Sequence, residues 1–204
     1  MAGASEEPKV TTDPQLLQRI AQVDPVHADT MSRTPTVFTT QELSFYKKYR
    51  LVKVEVRLPH RPLQFRYADD GAQAVNLLSG STQAIYRVNE AEALALDASQ
   101  VPEYLKFFVA HAEGGKRKVV ERAEDIFWLR ATSTDKALGD KKADAVSKLK
   151  PVSVSTTDKG FETVALLQED KQLSEYTYLV SKGGRVEVLE QQVVVENLPV
   201  PVVL

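Results

Sequence analysis

From Leu51 to Leu58 apolar and charged residues alternate without interruption, Val52, Val54, Val56 and Leu58 against Lys53, Glu55 and Arg57. Successive side chains of a strand point to opposite faces, so a period of two predicts a strand with one buried face. Pro59-His-Arg-Pro62 turns the chain, and Leu63, Phe65 and Tyr67 then alternate with Gln64 and Arg66 in a second strand. Asp69-Asp-Gly71 and Ser79-Gly-Ser81 carry hairpin-turn residues, so strands near 72–78 and 82–88 are expected to complete an antiparallel meander. Upstream, Thr39-Thr-Gln-Glu42 has the spacing of a capping box and predicts a short helix through Leu43, Phe45, Tyr46 and Tyr49.

Two other stretches follow the helical period. Leu16, Leu17, Ile20 and Val23 recur behind Asp13-Pro14, a cap and a first-turn proline. Val101, Leu105, Phe108, Val109 and Ala112 form one apolar stripe that Gly114-Gly115 closes. After a polar, lysine-rich stretch over 131–150, strand-like runs return at 152–156, 161–168, 173–180 and 185–196, the last two joined by Gly183-Gly184. The fold class that follows is α+β, mostly antiparallel sheet with two or three helices packed on one face. The organisation expected is an N-terminal arm over 1–36, largely extended with a short helix near 14–23. An α+β body over 37–130, a polar connector with a short helix over 131–150, and an antiparallel β subdomain over 151–204 with an apolar tail complete it.

Composition changes this picture little. Of 204 residues, 43% are hydrophobic and 26% charged, close to globular averages, so most of the chain builds a core. Cysteine is absent, which removes disulfides, thiolate nucleophiles and sulfur-ligated zinc. The first residues lack a basic and an apolar region, and no apolar run approaches bilayer length, so neither a signal peptide nor a membrane role is expected. The expected address is the cytoplasm. A net charge of −2 predicts no global attraction to nucleic acid, although the basic excess concentrates in the middle of the chain.

The search for chemistry yields no catalytic, cofactor-binding or metal residue. The three histidines, His27, His60 and His111, have no second ligand at helical spacing. Gly114-Gly-Lys-Arg117 lacks the spacing of a phosphate loop and follows a helix, so it reads as a helix terminator. No Gly-x-Ser-x-Gly elbow exists. Glu121, Glu124 and Asp125 stand near Trp128, where paired carboxylates could serve acid–base chemistry or simply cap a helix.

Two surfaces read as binding candidates. Lys53, Arg57 and Arg66 are expected on the solvent face of the first two strands, with the aromatic residues turned inward, as a site for an anion or an acidic partner. The apolar ends are the other candidate: Leu16, Leu17, Ile20 and Val23 in the arm, and Leu198, Val200, Val202 and Leu204 in the tail. Pro199 and Pro201 lack an N–H, so the tail must lie against something on one side only. The reading that follows is a non-enzymatic interaction or assembly protein whose two ends engage a partner protein or a second copy. A pocket enzyme of the α+β kind and a nucleic-acid or anionic-surface binder using residues 45–67 are the alternatives.

Overall fold

The computed structural model describes residues 14–201. The helices are α1 (Pro14–Val23), α2 (Pro25–Arg33), α3 (Thr82–Glu92), α4 (Val101–His111) and α5 (Lys136–Lys148). The strands are β1 (Thr36–Gln41), β2 (Arg50–Val56), β3 (Leu63–Asp69), β4 (Val75–Leu77), β5 (Arg117–Val119), β6 (Ser153–Thr157), β7 (Gly160–Glu169), β8 (Gln172–Val180) and β9 (Val186–Val195). Every pairing is antiparallel, so the α+β class stands. The chain divides into two compact units, Met1–Ala93 and Leu94–Leu204, rather than at the composition changes near 36, 130 and 150.

The first unit is a meander in the order β1-β2-β3-β4 with α1 and α2 against one face. The alternation in β2 and β3 places Val52, Val54 and Val56 opposite Tyr67, Phe65 and Leu63, and β1 adds Phe38 across from Val54. These side chains meet Leu16, Ile20, Ala28 and Met31 in one buried cluster. Polar groups also tie the helices to the sheet. Arg19 of α1 donates from Nε and Nη2 to the two oxygens of Asp69 at 3.1 and 3.0 Å, and Arg50 adds a third contact at 3.3 Å. Asp24 caps α2 and accepts from the Tyr67 hydroxyl at 3.0 Å, with His27 Nδ1 at 2.6 Å from the same oxygen.

The second unit is built on the sheet β5-β7-β8-β9, with β6 beside β5 on the same side of β7. Phe161, Ala165, Leu167, Tyr176, Tyr178 and Val180 line one face and are buried. On the other face Leu166 and Leu173 meet Val120, Ile126, Ala145 of α5, Leu198 and Val200. The turn between β6 and β7 depends on Gly160, whose φ is +138°, and where a Cβ would lie 2.4 Å from the Val180 carbonyl oxygen. Only glycine fits that approach.

Several expectations are corrected. Thr39–Glu42 does not start a helix: β-branched and aromatic residues over 36–40 pair with β2 instead, and residues 43–49 form turns. Those turns are held by the Glu92 carboxylate, which accepts from the N–H groups of Lys47 and Lys48 at 2.8 and 3.0 Å. Residues 82–88 are not a strand. Ser81 caps α3, and its buried positions Ile85, Val88, Asn89 and Glu92 follow the helical period. The helix expected within 131–150 is present as α5, and it also buries Ala145 in the core of the second unit. Of the arm expected over 1–36, the helix near 14–23 is present as α1, but the residues that follow are not extended: they form α2 and the start of β1, packed on their own sheet, and residues 1–13 lie outside the described residues.

Candidate functional site

The predicted partner face on α1 is mostly turned inward. Leu16 and Ile20 are buried among the apolar side chains of the first unit, because the helix must cover the open face of its own sheet. What remains is Val23, 52% exposed, and half-buried Leu17, which borders a shallow groove of about 450 Å³ between α1 and α2. The tail is corrected in the same way. Leu198 and Val200 are 2% and 4% exposed, and the segment is laced to its own unit by Leu198 N–H to the Lys171 carbonyl and Leu129 N–H to the Pro199 carbonyl. Val202 and Leu204 lie outside the described residues.

The acidic cluster resolves into caps and ties. Asp125 accepts from the N–H groups of Glu121 and Arg122 at 2.9 Å each, and chiefly these bonds hold its carboxyl below the usual range. Burial works to raise Glu121, but the Lys106 ammonium at 2.6 Å and the Val152 N–H outweigh it and keep that carboxyl low. Glu124 is exposed, Trp128 Nε1 donates to the Ala123 carbonyl, and His111 packs edge-on to Phe107 of its own helix. Among the described residues no group of three His, Cys, Asp or Glu is placed to hold a metal ion, and no helix is long and apolar enough to cross a membrane.

The basic face takes the form that alternation predicts. The residues of β1–β3 between the core positions share the opposite face of the sheet, and there Lys53 stands directly across from Arg66, with Thr39 across from Lys53 on the other side. They line a depression of about 260 Å³ together with Val37, Glu55, Arg57 and Gln64. Arg57 reaches Glu55 at 3.3 Å, and Arg66 donates to the Phe65 carbonyl and the Gln64 side chain, both at 3.0 Å. The Lys53 ammonium hydrogen-bonds to no described residue. Its pKa is held below the ordinary lysine value by burial first and by the neighbouring Arg66 charge second. Burial lowers Arg66 as well.

Sequence reasoning did not single out a further surface, strand β9. It closes the sheet of the second unit, and no described strand pairs with it on the side away from β8. Val188, Leu189 and Val193 are 49%, 49% and 41% exposed along it. Its register against β8 slips twice, leaving Leu189 and Val194 without an opposite residue. The available signal was the apolar run over 185–196, which reads as a strand without saying which sheet position it takes. Comparison with known protein families, with curated proteins and with solved structures gives no match for this chain.

Proposed function

We propose that this chain is a non-enzymatic interaction protein that receives an extended segment of a partner protein along β9. The observation that carries the reading is a ten-residue strand at a sheet edge with three large apolar side chains in water. An edge strand offers main-chain hydrogen bonds to an added strand, while alternate side chains select it.

The charge of β9 says which segment suits it. Glu187 and Glu190 are its only charged residues, and Glu196 follows at once. A second copy would bring glutamates towards glutamates, and like charges across a ladder are destabilising. A partner strand that alternates apolar residues with lysine or arginine satisfies both the valines and the glutamates. In this reading a protein of complementary charge held on β9 takes the place of a second copy and of the two chain ends.

The test is selection of extended decapeptides from a display library on the immobilised full chain. Enrichment of sequences alternating apolar and basic residues is expected, with binding at least about tenfold weaker to a Val188→Glu/Val193→Glu variant. Light scattering on the free chain should give a monomer. Peptides that bind that variant as well as the unaltered chain, or a dimer that the same variant abolishes, would overturn the reading.

A further inference from the structure

We propose that Lys53 and Arg66, opposed across β2 and β3, form a binding site for the phosphate group of a small phosphomonoester. The site uses none of the residues of β9 and stands or falls separately. Like charges directly opposite in an antiparallel pair destabilise the sheet. Here both members are half-buried, which raises the cost of keeping them charged. Glu55 is the one acid that lines the depression, and it is engaged by Arg57. Lys53 and Arg66 therefore carry two positive charges that no described carboxylate at the site balances.

That count selects the ligand. A monoanionic carboxylate would leave one charge over, whereas a phosphomonoester is a dianion near neutral pH and offers several acceptor oxygens. Arginine supplies a planar fork and lysine a point charge, a combination suited to one tetrahedral oxyanion. Thr39, across from Lys53 on β1, and Gln64, two residues before Arg66 on β3, add neutral polar groups to the lining. At about 260 Å³ the depression lies below the ~300–1,000 Å³ of pockets for drug-sized ligands, so it suits a phosphate on a short organic stem. Nucleic acid is a poorer match, because Phe38 and Tyr67 of these strands are buried on the opposite face and offer no ring for base stacking.

The test is a titration of the full chain with inorganic phosphate and with glycerol 3-phosphate, each at constant ionic strength set with chloride. Binding is followed by amide chemical shifts and by the melting temperature. Saturable shifts centred on residues 39, 53 and 66 are expected, with affinity reduced about tenfold or more in Lys53→Met. Lys53→Met should also melt no lower than the parent without ligand, since it relieves a like-charge contact, so lost binding cannot be blamed on lost fold. Binding of both probes assigns the site to the phosphate group itself; binding of glycerol 3-phosphate alone assigns it to the ester, and either supports the proposal. Equal stabilisation of parent and Lys53→Met, or acetate binding as tightly as the phosphates, overturns it.

Discussion

Asp69 shows how much one residue read as a turn can carry. The Asp69-Asp-Gly71 turn was legible, and Asp70 does serve it by accepting from the N–H groups of Ala72, Gln73 and Ala74 at 2.9 Å each. Asp69 itself is completely buried and bridges Arg19 and Arg50, one fifty residues before it and one nineteen. Removing one member of a buried ion pair strands the other charge, so Asp69→Ala should cost about 3–5 kcal/mol in urea unfolding. Tyr67→Phe deletes the hydroxyl that donates to Asp24 and should cost about 1.5–3 kcal/mol. An Asp69→Ala loss under 1 kcal/mol would mean that this network does not fasten α1 to the sheet.

At the scale of the element, helices and strands with a clean period were readable and their surroundings were not. The stripe on α1 was found, but the surface it covers is its own sheet. Ile20→Ala and Leu198→Ala should each destabilise the free chain by about 2–5 kcal/mol, because both empty a filled space. Val23→Ala, at a half-exposed position, should shift stability by no more than about 0.5 kcal/mol. If Ile20→Ala and Leu198→Ala leave stability unchanged while impairing association, the ends serve a partner after all. The second strand pair was legible because Gln64 and Arg66 alternate with apolar neighbours. α3 was missed because Ser79-Gly-Ser81 suits a hairpin turn as well as it suits a helix cap.

Across the whole molecule the titratable groups make stability pH-dependent at both extremes. Burial pushes Tyr67 and Tyr178 above the ordinary tyrosine range, and Asp24 adds to the effect at Tyr67. Unfolded tyrosines ionise near pH ~10 while the folded ones keep their protons, so this stability is intact below that pH and falls as pH rises beyond it. Tyr67→Phe should flatten that alkaline decline in the urea midpoint. The carboxyls of Glu121 and Asp125 are held low, so their contribution is present above pH ~4 and is lost as pH falls through their folded values. Glu121→Gln should soften the acid limb and leave the alkaline limb unchanged; the reverse would show that these ties do not persist in solution.

The amino-acid order alone determined the α+β class, the faces of β2 and β3, the stripe on α4, the second group of strands and the basic patch. Each follows from a local period of two or 3.6 residues, which acts through the backbone geometry of neighbours in the chain. Only the tertiary structure decided that β1 exists, that Leu16, Ile20, Leu198 and Val200 are covered by their own units, that Lys53 meets Arg66 head-on, and that β9 is left at an edge. Those outcomes depend on which distant segment fills which face, as Asp69 with Arg19 and Leu198 with the Lys171 carbonyl illustrate. A pattern of apolar positions states that a face must be buried; the partner that buries it is settled by packing across the chain.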